Sequence, residues 1–273
     1  MGKWRNTLGL VTAVSFALLA VANTGKAFGA ASAQDEYEAK KRTIVTAYSG
    51  QSPEEWGEMV TGVKTSLATK EKVVALTFDA CGSAKGKGVD MELVRFLDNE
   101  KIPATLFINA RWIDANPNLF LELAGNPLFT IANHGLMHRP ASVNGRSVYG
   151  INGTSDVGEL VDEIELNARK IEKLTGKRPV YYRSGTAYYD EIAVRVSERL
   201  GHKVIGFSVL GDAGATYPAD KVTAALLSSS PGSIVILHMN HPESGTGKGV
   251  MAAVPQLRKR GFRFVRLSDY PLE

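Results

Sequence analysis

The stretch Val73-Val74-Ala75-Leu76-Thr77-Phe78-Asp79-Ala80-Cys81 decides how the rest of the chain is read. It opens as a short, nearly continuous apolar run, the pattern of a strand buried on both faces as in a parallel sheet, and it ends on a carboxylate. Working outward, similar runs recur at Ala104–Ile108, Phe129–Ala132, Val180–Tyr182, Val204–Val209, Ile234–Leu237 and Phe262–Val265. Between them, helical periodicity covers Val89–Glu100, Ile113–Ala124, Val157–Thr175, Asp190–Leu200, Pro218–Ser229 and Gly249–Arg260. Glycine follows Thr175 and Leu200, where a helix would stop. Strands alternating with helices predict an α/β fold with a parallel sheet. Seven such repeats suit a barrel better than an open sheet, although the pattern alone leaves closure open.

In barrels and open parallel sheets alike, ligand sites form at the carboxyl ends of the strands. The polar residues of interest fall there: Asp79 after the first strand, His134 and His138 after the third, Arg183 after the fourth, Asp212 after the fifth, and His238 and His241 after the sixth. Residues remote in sequence are thereby expected on one rim. Of five histidines in the chain, four occupy two strand ends. His134 and His138 have the i, i+4 spacing that lets two imidazoles meet one metal ion on a helical turn. That spacing alone is as well explained by two surface histidines beside a turn; with Asp79 and His238 at neighbouring strand ends, the metal reading gains. A carboxylate beside a metal can take a proton from water or can ligate the ion itself, so Asp79 has two candidate roles.

The ordered segments Thr77-Phe78-Asp79-Ala80, His134-Gly135-Leu136-Met137-His138, Arg183-Ser184-Gly185-Thr186-Ala187-Tyr188, Gly211-Asp212 and Leu237-His238 resemble the five motifs of the NodB homology domain. These are the polysaccharide deacetylases of carbohydrate esterase family 4, and the resemblance runs from about Val73 to Leu267. It implies a distorted (β/α)7 barrel and metal-assisted removal of acetyl groups from an N-acetylated glycan such as chitin or peptidoglycan. By the same resemblance Asp79 looks like the general base, His134 and His138 like metal ligands, and His238 like the acid that protonates the leaving amine. Arg183 would orient Asp79, and Asp212 would hold His238. The ion expected is divalent, zinc first.

The family motif carries a second aspartate, a metal ligand, where this chain has Ala80. Alanine has no donor atom. Asp79 itself and the neighbouring Cys81 are the substitutes within reach in sequence, with Asp79 ranked first as the third ligand beside His134 and His138. A thiolate at Cys81 would instead make a soft, zinc-selective site, although a cysteine beside a strand commonly just packs. If Asp79 ligates the ion, the base is left unassigned.

Other segments bear on substrate. The polar loop Asn144–Thr154 lies beside His138 and can wall a sugar groove, or can be a solvated loop. Tyr181, Tyr182, Tyr188 and Tyr189 offer aromatic surface for sugar rings, which core packing explains equally well for about half of them. The glycine-rich loops Gly82–Gly88 and Gly245–Gly249 do not match a phosphate loop and read as active-site rim.

The termini and totals bound the rest. Lys3 and Arg5 precede an apolar run from about Leu8 to Ala22, and Ala31-Ser32-Ala33 forms an A-x-A site, so residues 1–33 read as a signal peptide. Residues 34–70 read as an irregular lead-in with a short helix near Pro53 to Met59, and residues 71–273 as the deacetylase domain. Cleavage removes Lys3, Arg5 and Lys26 and no acidic residue, which takes the formal charge from +4 to +1 and argues against a nucleic-acid partner. Cys81 is the only cysteine, so no internal disulfide forms. The expected product is exported, periplasmic or secreted, with an N-acetylated glycan as its partner and no stable membrane insertion after cleavage. Two rival readings remain: a metal-independent hydrolase of a small linear amide, suggested by Ala80, and a non-catalytic glycan-binding protein, which would have no need of the acid–base set.

Overall fold

The computed structural model describes the backbone of residues 18–273 and the side chains of residues 33–273, so most of the expected signal peptide lies outside the described residues. The chain divides into two units, residues 1–43 and 44–273. A helix α1 (Leu18–Tyr48) runs through the predicted cleavage site and into the stretch expected to be irregular. No described helix is long and apolar enough to cross a membrane.

The second unit is a curled parallel sheet wrapped in helices. Its elements run β1 (Val73–Ala80), α2 (Met91–Asn99), β2 (Ala104–Ile108), α3 (Ala110–Ala115), α4 (Pro117–Gly125), β3 (Phe129–Asn133), α5 (Val157–Thr175), β4 (Tyr181–Tyr182), α6 (Glu191–Arg199), β5 (Lys203–Val204), β6 (Val209–Leu210), α7 (Ala219–Leu227), β7 (Ser233–His238), α8 (Thr246–Lys259) and β8 (Arg263–Phe264). The sheet order is β5-β4-β3-β2-β1-β7-β6, all pairs parallel, with β8 beside the start of β1. Its two end strands are two halves of one stretch of chain. Residues expected to form a single strand, Val204–Val209, bend instead: Lys203–Val204 pair with β4, and Val209–Leu210 pair with β7. The distorted (β/α)7 architecture expected from the motifs is therefore present, and its closure passes through this one kinked segment.

Alternation along β1 separates two cores. Val74, Leu76, Phe78 and Ala80 pack with Leu93, Trp112, Val254 and Leu257 between sheet and helices. Val73 and Ala75 face the barrel interior with Phe107, Ile205, Ile234 and Ile236. Thr77 and Asp79 continue that inner face toward the carboxyl end, where the filling turns polar. The barrel is thus apolar below and chemical above.

Two local readings differ from expectation. Ile113–Ala124 is not one helix, because Asn116 leaves the helical conformation ahead of Pro117, which starts α4 at its first turn. No helix forms near Pro53 to Met59; that segment is irregular, and Gly57 pairs with Tyr189 in an isolated bridge.

Candidate active site

Asp79, Cys81, His134, His138, Arg183, Asp212 and His238 converge on the carboxyl rim, from β1, the β3–α5 connection, β4, the segment after β6, and β7. The deepest member is Arg183, fully buried in the barrel with its guanidinium 4.2 Å from the ring centroid of Phe107. Each of its three nitrogens has an acceptor. Nη1 bonds Asp79 Oδ1 at 2.8 Å and Thr77 Oγ1 at 3.0 Å, while Nε and Nη2 bond the carbonyls of Ile205 and Gly206 at 3.1 and 2.9 Å. Those two carbonyls belong to the kink between β5 and β6, so the interruption that closes the barrel also supplies Arg183 with acceptors. A buried cation held by four hydrogen bonds keeps its carboxylate partner in one place.

On the β7 side, the Asp212 carboxylate accepts from the His238 backbone N–H at 2.7 Å and from the Thr246 hydroxyl at 2.9 Å, and contacts His238 Nδ1 at 2.9 Å. Nδ1 is thereby engaged, which leaves Nε2 as the ring nitrogen that Asp212 does not hold. Burial pushes His238 down, but the charge and hydrogen bond of Asp212 outweigh it and hold the imidazole well above its ordinary value. Asp212 is lowered in return: burial raises it, and His238 more than reverses that.

The third part is the donor cluster. Cys81 Sγ and one nitrogen each of His134 and His138 lie within 4.8 Å of one another, the single group of this kind among the described residues. His134 Nδ1 is held by the Arg183 carbonyl at 3.0 Å, which turns Nε2 toward Cys81 Sγ at 3.8 Å. Nε2 of His138 is buried with no hydrogen-bond partner. Burial pushes the Cys81 thiol up, but the charge of His138 and hydrogen-bonding contact with His134 and His238 pull it well below its usual value. A soft thiolate and two imidazoles around one point, one of them with an orphaned nitrogen, form a donor set that fits a divalent transition ion, zinc foremost. Asp79, ranked first from the sequence as third ligand, stands 3.7 Å from His134 Nε2 and outside the group of three, tied instead to Arg183. Ala80 points into the outer core.

The segment carrying the two histidines is braced by residues that sequence reasoning did not single out. The Glu163 carboxylate accepts from the backbone N–H groups of Met137 and Arg139, Asn133 Oδ1 accepts from Gly135 N, and Asn109 donates to the carbonyls of His134 and Gly135. Gly135 sits at φ 76°, and a Cβ there would lie 2.3 Å from the Glu163 carboxylate, so only glycine lets the carboxylate come this close. A buried acid on α5 aimed back at a histidine turn was the available signal. His241, after β7, pairs with exposed Glu243 rather than with the cluster.

A family model described as polysaccharide deacetylase matches residues 66–205. A peptidoglycan-N-acetylglucosamine deacetylase of Bacillus cereus is 24% identical over 216 residues, covering 76% of this chain and 92% of that protein. Among solved structures, a CE4 family pseudoenzyme from Bacillus anthracis superposes with a TM-score of 0.62 at 18% identity, covering 78% of this chain and 69% of that one. A family 4 acetyl xylan esterase from Clostridium thermocellum, in complex with a cobalt ion, superposes with a TM-score of 0.59 at 20% identity, covering 72% and 89%. At these identities the structural likenesses establish the fold.

Proposed function

The chain belongs to the polysaccharide deacetylase family, and from that premise we propose that it is an exported, metal-assisted hydrolase removing N-acetyl groups from a peptidoglycan or chitin-like glycan. The observation that carries the reading is that two proton-transfer groups border the Cys81–His134–His138 cluster, Asp79 at 3.7 Å from His134 and His238 through its interaction with Cys81. Amide hydrolysis needs an activated water and a protonated leaving nitrogen, and this arrangement has a residue for each task.

Asp79, fixed by Arg183, is positioned to take a proton from the attacking water. With Cys81 completing the donor set, Asp79 need not serve as a ligand. His238, kept protonated by Asp212, presents Nε2 to the departing amine. Cys81, His134 and His138 would hold the cation, which supplies polarisation of the amide carbonyl and lowers the pKa of a water from about 16 towards 7. The basic and apolar start of the chain and its A-x-A site support export.

One observation favours a second reading. Cys81 contacts His238, which Asp212 orients, and this is the nucleophile–base–orienter order of a thiol hydrolase that works without metal. Metal analysis of the purified chain, paired with acetate release from chitooligosaccharides and from peptidoglycan, separates the two. Bound zinc and activity abolished by chelator support the metal reading; metal-free, chelator-resistant turnover supports the thiol reading. Glycan binding without turnover on any substrate would overturn both.

A further inference from the structure

Beside the catalytic groups lies an aromatic cluster to which the chemistry assigns no task. Trp56 precedes β1, Tyr149 lies in the β3–α5 connection and Tyr188 follows β4. The Tyr188 ring centroid is 5.8 Å from that of Trp56, with the planes tilted by 54°, and 5.6 Å from that of Tyr149, edge to face at 83°. The Arg146 guanidinium lies 5.5 Å from the Trp56 ring centroid.

The cluster is joined to the active site through the backbone. Tyr188 shares a turn with Gly185, whose missing side chain lets the turn rest on the backbone of His138; a Cβ would lie 2.3 Å from the His138 carbonyl carbon. Trp56 is held by its neighbour Gly57, which exchanges two backbone hydrogen bonds with Tyr189 at 2.9 and 3.1 Å. The rings therefore have fixed positions on the rim, on the side of the donor cluster.

Tyr149 argues for a ligand rather than for packing. It is 71% exposed, so burial does not account for it. It also lies at φ 55°, followed by Gly150 at φ 73°, in a turn closed by the mutual backbone hydrogen bonds of Val148 and Ile151. Two successive positive φ angles suit Asn-Gly; a tyrosine there is strained by roughly 1–3 kcal/mol. Strain on an exposed ring points to a function of the ring. Its edge-to-face contact with Tyr188 orients the ring, and interaction with the Tyr188 hydroxyl pushes the Tyr149 phenol up to about 12.

We infer that Trp56, Tyr149 and Tyr188, with Arg146 at their edge, form a subsite on which a pyranose ring of the glycan strand stacks while a neighbouring sugar occupies the catalytic groups. The inference rests on the glycan reading above. Aromatic faces match the C–H faces of a pyranose, while phenol and guanidinium groups meet its hydroxyls. An open platform continuous with the reacting centre suits a polymer that extends beyond it.

The test uses the full chain and tetra-N-acetylchitotetraose, with N-acetylglucosamine as the short comparison. Of the three tryptophans, Trp112 is buried and Trp4 lies in the expected signal peptide, so the loss of the signal in Trp56→Leu assigns it to the platform. The tetrasaccharide should change tryptophan fluorescence saturably, N-acetylglucosamine should not, and Trp56→Leu should abolish the change. Tyr149→Asn relaxes the turn while removing the ring, so it should keep or raise Tm yet weaken tetrasaccharide binding about 2- to 10-fold, with KM rising and kcat steady. Unchanged affinity in both variants, or a lowered Tm in Tyr149→Asn, would overturn the subsite. Acetate release with unchanged affinity sinks the subsite and leaves the deacetylase reading; lost affinity in the variants of a chain that releases no acetate does the reverse.

Discussion

The two sides of the rim are built on opposite principles. Around His238, Asp212 spends its carboxylate on a ring nitrogen, a backbone N–H and the Thr246 hydroxyl, so the imidazole is fixed and its pKa raised. Around His138, a ring nitrogen is buried with nothing to bond, beside a thiol drawn toward thiolate. A buried polar group left unsatisfied is costly and calls for an explanation. The contrast suits the two tasks proposed for them, holding a proton on the satisfied side and a cation on the unsatisfied one.

The largest effects should come from separating the two sides. His138→Ala is expected to lose both bound metal and activity, whereas His238→Ala should keep the metal and lose about 100- to 10,000-fold in rate. Metal content measured beside acetate release reads both, and metal loss in His238→Ala would erase the distinction. A smaller effect sharpens the proton side. Because His238 is raised, its acid form persists at neutral pH, and the rate should fall only as pH climbs through the raised value. Asp212→Asn removes the raising charge, so the alkaline limb of the rate profile should move to lower pH; an unmoved limb would assign that titration elsewhere. The stability contributed by the pair has the matching sign: for His238 it is present below the unfolded value and lost as pH rises through the raised one, and for Asp212 it is lost as pH falls through the lowered one. Smallest is an effect on the bracing of the donor side. Gly135→Ala forces a side chain onto Glu163 at a positive φ, and a loss of roughly 2 kcal/mol should lower Tm on the order of 5 °C. An unchanged Tm would mean that the histidine turn is not held by that contact.

Much of this was legible in the residues. The apolar runs at β1, β2, β3 and β7 announce themselves because strands buried on both faces must be apolar, and the strand-end positions of the polar residues follow from that frame. Closure was not legible: Val204–Val209 reads as one strand, and its break at Gly206 depends on pairing with β4 at one end and β7 at the other, a tertiary fact. The helix break at Asn116-Pro117 was written in the sequence, since the residue before proline avoids helical backbone. Cys81 shows how a local rule can outrank composition. Strand parity places Asp79 and Cys81 on one face and Ala80 on the other, and the structure buries Ala80 with Phe78 in the outer core. No local pattern announces that Arg183, more than one hundred residues away in sequence, ties the Asp79 carboxylate.

The central claim is that Cys81 joins His134 and His138 in holding the ion, and it is tested most directly by loading the metal-free chain with cobalt(II) and recording its ultraviolet absorption. Thiolate ligation predicts a sulfur-to-cobalt charge-transfer band that reaches its full height at one equivalent and disappears in Cys81→Ser. A cobalt-loaded chain without that band, or a Cys81→Ser variant that binds cobalt as tightly as the parent, would contradict it.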